Sequence, residues 1–387
     1  MINYPLSNDT WGQEEIDAIN KVIESQHLTM GEKTREFEEY FASYFGAKYA
    51  VMVNSGSSAN LIAIAALIYS GKLNKGDEVI VPAVSWSTTY FPLCQYELKL
   101  IFIDIDINTL NINVRQIENA ITPQTKAIFA VNLLGNPNEY ERMLYICNKY
   151  NLILIEDNCE AMGAIYQDKY TGIFGKIGTF SMFYSHHICT MEGGMAITDD
   201  EELYHYMLSL RAHGWTRNLP KSSKIYQKSE NEFYESYNFI LPGYNLRPLE
   251  IEAAVGIEQL KKLDKILLAR RKNAEYFRNL FESCENISIQ EEIGLSSWFG
   301  FSITLKNRLK GQRDQIINKL SQNGIETRPI VAGNFTKNNV IKYMDYEMVG
   351  DLENANYIHE NGFFVGNHDV EIRNNIEYLY SLLHKDL

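Results

Sequence analysis

Short blocks of consecutive apolar residues alternate along the chain with stretches whose apolar positions recur every three to four residues. The blocks at 49–53, 78–82, 100–104, 127–131 and 152–157 are too short for helices and apolar almost throughout, which predicts strands buried on both faces. The intervening stretches carry helical spacing. Trp11, Ile16, Ile19, Val22 and Ile23 predict a helix capped by Asp9 or Thr10, and Phe37, Tyr40, Phe41 and Tyr44 share one face of a second, over about 34–44. Strands alternating with helices predict an α/β protein built on a mixed, mostly parallel sheet covered on both sides.

Later in the chain the pattern changes. Residues 220–235 are polar and irregular and read as an excursion or lid. Residues 250–281 read as one long helix, or two in line, with Ile251, Val255, Leu260 and Leu263 apolar and Arg270, Arg271 and Lys272 basic. Beyond it, 298–305 alternates like a strand, 313–323 is helical, and 361–368 adds a last strand with a polar end. The expected division is a large unit, residues 1–250, and a smaller α/β C-terminal unit, residues 251–387. No internal repeat or low-complexity tract appears.

Composition narrows the function. With 387 residues, 45% hydrophobic and 22% charged, the chain has the make-up of a globular protein with a large core. A net charge of -13 argues against non-specific binding to nucleic acid or anionic membranes, and leaves room for a local basic pocket. No apolar run approaches the ~20 residues that span a bilayer, and Met-Ile-Asn-Tyr-Pro at the start lacks the regions of a secretion signal. The expected location is the cytoplasm. Cys94, Cys147, Cys159, Cys189 and Cys284 are scattered, odd in number and without a Cys-x-x-Cys pair, so reduced thiols are expected, with no iron–sulfur centre and no metal.

Five places carry candidate chemistry. The stretch 178–195 sets Ser185-His186-His187 between an apolar strand-like run and the turn Glu192-Gly193-Gly194, which puts imidazoles at an element end; a solvated or core histidine pair is the plainer alternative. Asn54-Ser-Gly-Ser-Ser-Ala-Asn60 lies between a strand and an apolar helix and reads as a phosphate cradle or as an ordinary turn. Trp86 and Asp157 each stand at a strand end, where open α/β sheets bind ligands; a core indole and a helix-capping carboxylate are the alternatives. Arg211-Ala-His-Gly-Trp-Thr-Arg-Asn218 is either a solvated loop or a site for diphosphate oxygens.

These motifs together resemble the DegT/DnrJ/EryC1 sugar aminotransferases, whose fold-type I, aspartate aminotransferase-like architecture binds pyridoxal phosphate. The resemblance extends over essentially the whole chain. It rests on Ser181, Thr190 and Glu192-Gly193-Gly194, on Glu156-Asp157-Asn158-Cys159-Glu160, and on Gly243-Tyr244-Asn245-Leu246-Arg247. Aligned so, His186 occupies the place of the lysine that binds the cofactor covalently in that family. Imidazole forms no stable imine, so the resemblance implies pyridoxal or pyridoxamine phosphate held without a covalent bond. The implied contacts are Gly56 and Ser57 at the phosphate, Trp86 stacked on the ring, Asp157 at its nitrogen, Glu160 beside it, Ser181, and Asn245 reaching the phosphate of a neighbouring subunit in a homodimer.

A histidine at this position resembles the 3-dehydratase branch of the family. The implied reaction is removal of the C3 hydroxyl from a nucleotide-linked 4-keto-6-deoxysugar, with L-glutamate as amino donor and His186 as base. GDP-4-keto-6-deoxymannose or a 6-deoxyheptose analogue is the expected substrate, on the way to a dideoxysugar of lipopolysaccharide O-antigen or capsule. His213, Arg217 and Arg328 are the expected substrate contacts, with His368 a further candidate. Two rivals stand beside this reading: an aminotransferase making a stable 4-amino sugar, and a catalytically silent binding subunit.

Overall fold

The computed structural model describes residues 3–384. Its centre is an eight-stranded sheet in the order Tyr49–Val53, Gly194–Thr198, Ile177–Ser181, Ile153–Asp157, Thr125–Val131, Glu78–Pro82, Lys99–Ile103, Tyr346–Met348. Neighbours are parallel except around Gly194–Thr198, which runs antiparallel to both strands beside it. Side chains alternate between two cores. Val79, Val81, Leu100, Phe102 and Phe129 point to one, and Ile80, Ile101, Ile103 and Ile128 to the other, the period of two expected of a sheet buried on both faces.

The long helix Glu250–Phe281 is unbroken. Its first half packs Ala253, Ile257, Leu260 and Leu263 against Phe37, Phe41 and Phe45 of helix Glu32–Phe45. Its end carries Ala274, Phe277 and Phe281 into a separate core. That core covers a small antiparallel sheet of Ile287–Ser288, Gly300–Leu305 and Gly362–Gly366. The following segment returns: Ile330, Phe335, Met344, Leu352 and Ile358 join the large core, and Tyr346–Met348 adds the edge strand beside Lys99–Ile103.

Two boundaries differ from the sequence pattern for local reasons. The first helix is Gln13–Ser25 with Gly12 at its cap, because the Glu15 carboxylate takes the Gly12 N–H at 2.7 Å while Asp9 is engaged one turn earlier with the Trp11 N–H. The strand expected from 298 starts at Gly300, since Trp298 adopts a left-handed backbone, φ 49°, which takes it out of a ladder. No described helix is long and apolar enough to cross a membrane.

Candidate active site

The C-terminal ends of the central parallel strands open into a cavity of about 970 Å³. Strand Ile153–Asp157 delivers Asp157 to its floor, 5% exposed. The carboxylate accepts from Asn60 Nδ2 at 2.8 Å, Thr89 Oγ1 at 2.7 Å and the Cys159 N–H at 3.2 Å. Three fixed donors hold its plane, so the carboxylate presents a defined edge to whatever fills the space.

Beside it begins helix Gly56–Tyr69, capped by the Ser55 hydroxyl, which accepts from the Ser58 N–H at 3.1 Å. The first-turn N–H groups of Gly56 and Ser57 lie ahead of the helix's own bonds and carry its partial positive charge. A Cβ at Gly56 would stand 2.5 Å from the Ser181 Cβ, and a Cβ at Gly194 would run into the Ser55 carbonyl. Bare backbone is therefore required where the turn, the strand end and the helix start converge, and that convergence shapes an anion cradle. Trp86, 58% exposed, caps helix Ser87–Gln95 at the cavity mouth.

His186 and His187 take opposite roles. His187 is fully buried, its Nε2–H donating to the Ser297 carbonyl at 3.1 Å. His186 lines the cavity, its ring against Phe299 with centroids 5.1 Å apart, and its Nδ1 is buried without a partner. Burial and the nearby Arg270 cation bring its pKa down to about 4, so the imidazole is neutral near pH 7. Glu160, across the cavity, moves the other way. Burial raises its carboxyl to about 7, with the Leu134 N–H at 2.9 Å opposing and Asp157 reinforcing. A neutral imidazole and a carboxyl poised near neutrality on the wall of one cavity are both suited to moving protons.

Gly56, Ser57, Trp86, Asp157, Glu160, Ser181, His186 and Arg328 thus surround one space. His213, Arg217 and Asn245 lie outside it. They sit on a surface strip bridged between Ala212 and Asn245, where His213 packs on Trp215, Arg217 is exposed, and Asn245 Oδ1 accepts from Arg247 Nε. His368 is buried with its Nε2–H on the Pro5 carbonyl at 2.9 Å. The sequence reading missed Asn60 and Thr89 as the groups that orient Asp157, although Asn60 ends the stretch 54–60 it singled out and Thr89 lies three positions past Trp86. It also missed Phe299, Glu326 and Phe364, and the N-terminal Pro5, Leu6 and Ser7, all of which line the cavity and carry no local signal. Among the described residues no cluster of His, Cys, Asp and Glu is arranged for a metal, and all five cysteines are free thiols.

A helix-end anion cradle, a buried strand-end carboxylate and an indole at the mouth fit a planar, phosphorylated pyridine, and with this sheet they define the fold-type I class of pyridoxal phosphate proteins. The chain belongs to the DegT/DnrJ/EryC1/StrS aminotransferase family, whose sequence pattern matches residues 9–375. It is 55% identical to GDP-4-keto-6-deoxy-D-mannose 3-dehydratase of Escherichia coli O55:H7, over 99% of this chain and 100% of that protein. It is 54% identical to the enzyme of the same name from Yersinia pseudotuberculosis, over 100% and 99%. A crystal structure of GDP-4-keto-6-deoxymannose-3-dehydratase with a trapped PLP-glutamate geminal diamine superposes with a TM-score of 0.97 at 54% identity, covering 98% of this chain and 100% of that one.

Proposed function

We propose that this protein is a pyridoxal phosphate-dependent 3-dehydratase that removes the C3 hydroxyl of a GDP-linked 4-keto-6-deoxysugar, with L-glutamate as amino donor. The observation that carries this reading is the wall of the cavity: no lysine is among its described lining residues, and His186 stands in its place. Bound as the pyridoxamine form, the cofactor supplies an amine for the substrate ketone and a ring that takes up electrons. Gly56 and Ser57 N–H groups hold its phosphate, Asp157 holds the pyridine N–H, and Trp86 covers the ring face.

His186, on the cavity wall and neutral near pH 7, takes the proton at C4′ and, as an imidazolium, gives one to the departing C3 oxygen. A low pKa makes that imidazolium a strong acid, suited to a poor leaving group. Without a lysine to capture the nitrogen, water releases it as ammonia. Each sugar deoxygenated then yields one 2-oxoglutarate and one ammonia, and no 4-amino sugar. A reaction on these metabolites is placed in the cytoplasm.

Borohydride reduction of the protein loaded with pyridoxal phosphate is expected to leave every lysine free of cofactor by mass spectrometry. Incubation with glutamate and GDP-4-keto-6-deoxymannose is expected to release ammonia and the 3-deoxy ketosugar. A pyridoxyl-lysine, or a stable 4-amino sugar as the main product, would replace this reading with that of an aminotransferase.

The homodimer belongs to the same proposal. Asn245, His213 and Arg217 lie away from their own cavity but share a strip with exposed Phe233, Tyr237 and Phe239, which are 90%, 74% and 51% accessible; an apolar surface of this size suits a second copy. The strip then completes the partner's site. On mixing inactive His186→Asn protein with inactive Asn245→Ala protein and allowing subunits to exchange, activity is expected to return, because one site of each mixed dimer is intact. No return after demonstrated exchange would place Asn245 outside the shared site. The division into residues 1–250 and 251–387 is likewise proposed, supported by the separate core at the end of the long helix, with the returning segment around Ile330–Ile358 clasping the two units.

A further inference from the structure

Behind the wall of the cavity a short strap, residues 296–299, reaches both proton-transfer groups at once. The Phe299 ring meets the His186 ring at 64°, and the Phe299 N–H donates to the Leu134 carbonyl at 3.0 Å. The N–H of that same Leu134 holds the Glu160 carboxylate. One step back, the Ser297 carbonyl receives the His187 Nε2–H, and the Ser297 N–H donates to the Gly135 carbonyl at 3.0 Å.

Sheet pairing does not hold this strap, because the strand starts only at Gly300. Besides its two backbone bonds to Leu134 and Gly135, side chains hold it. Arg270 Nη1 donates to the Trp298 and Phe299 carbonyls at 3.3 and 3.1 Å, Arg271 Nε to the Ser296 carbonyl at 3.0 Å, and Asn367 Nδ2 to the Trp298 carbonyl at 2.9 Å. Arg270 is 2% exposed and forms no ion pair among the described residues. A buried guanidinium balanced chiefly by carbonyl dipoles is costly for folding alone.

We infer that Arg270 is a positioning residue for the proposed dehydration: by clamping residues 296–299 it fixes the His186 ring through Phe299 and the Glu160 carboxylate through Leu134. The inference rests on His186 being the base. The charge of Arg270 works in the same sense, since with burial it keeps the imidazole neutral and able to accept a proton. The other charged or titratable groups around that ring are His187 and Tyr184 on its own loop and Asp157, Cys159, Glu160, Glu192, Glu326 and Arg328 on the cavity wall.

The test compares Arg270→Gln, Arg270→Lys and Phe299→Leu with the parent protein. Three properties are read: kcat and KM for the GDP-4-ketosugar across pH, affinity for pyridoxal phosphate, and the NMR titration of His186 in cofactor-free protein, assigned by its loss in His186→Asn. Arg270→Gln and Phe299→Leu are expected to lower kcat roughly ten- to a hundredfold, the effect of displacing a reacting group by about 1 Å, and Arg270→Gln, which lies outside the cavity lining, leaves KM and cofactor affinity unchanged. Arg270→Gln also moves the His186 midpoint, and the acid limb of kcat, up towards the ordinary value of about 6.5. Arg270→Lys, which keeps a cation and a donor, recovers most of the loss. A folded Arg270→Gln protein with unchanged kcat, acid limb and midpoint overturns the inference. Should that variant not fold, an unchanged kcat in Phe299→Leu overturns it. Full turnover by His186→Asn instead removes the reading on which it rests, whatever Arg270 does.

Discussion

His186→Asn is expected to abolish sugar deoxygenation and ammonia release while the protein still folds and still binds its cofactor. The amide fills much of the imidazole's space and remains polar, but it cannot take up a proton near neutral pH. Removing a general base costs on the order of 10² to 10⁴ in rate, and here the same group also serves as the acid for the leaving oxygen, so the upper part of that range is expected for kcat. Cofactor affinity is unaffected because the anion cradle and Asp157 lie on other elements. A second signature is independent of turnover. His186 titrates at about 4 in the folded chain against about 6.5 when unfolded. Between those values the unfolded chain binds the proton and the folded one does not, so acidification through this window removes stability from the parent protein. The asparagine variant lacks that loss. Its melting temperature relative to the parent should therefore rise as pH falls from 7 towards 4, measured by thermal unfolding of cofactor-free protein. Dehydration at the parental rate would exclude His186 as the base.

Asp157→Asn should have the second-largest effect, and on a different quantity. The carboxylate already accepts from Asn60, Thr89 and the Cys159 N–H, so its remaining acceptor capacity faces the cavity. An amide places an NH₂ either against the Asn60 and Thr89 donors or towards the pyridine N–H, and both arrangements oppose donor to donor. Losing a hydrogen bond to a charged group is worth about 1.5–3 kcal/mol, or roughly a ten- to hundredfold fall in affinity for pyridoxal phosphate, read by titrating absorbance. Turnover at saturating cofactor should fall as well, because a neutral amide no longer keeps the ring cationic. Unchanged affinity and turnover would show that Asp157 faces some other group.

The two residues differ in how they could be found. Asp157 stands at the end of an apolar run, and any parallel strand delivers its last residue to the ligand-binding edge, so five residues of local pattern suffice to place it. Gly56 and Ser57 follow the same logic at a helix start, Trp86 just before another, and Ser181 at a strand end. For His186 the pattern narrows the choice only to a pair. The chemical meaning of the position came from resemblance to the family, and the choice between neighbours depends on packing: His187 turns away because a carbonyl at Ser297, 110 positions along the chain, accepts its N–H. Asn245, His213 and Arg217 carry a legible motif, but one chain does not bring them to its own cavity.

By itself, then, the amino-acid sequence determined the alternation of strands and helices, the sheet buried on both faces, the cradle and the strand-end carboxylate, because each depends on periodicity or on residues a few positions apart. Only the tertiary structure decided that Gly194–Thr198 inserts antiparallel between two strands, that Tyr346–Met348 returns to the edge of the large sheet, and that Phe299, Glu326 and the N-terminal residues 5–7 wall the cavity. It also decided that an arginine on the long helix lies beneath the imidazoles. These are contacts between residues far apart in the chain, chosen by competition among packed surfaces across the whole molecule, and no short window of sequence contains that competition.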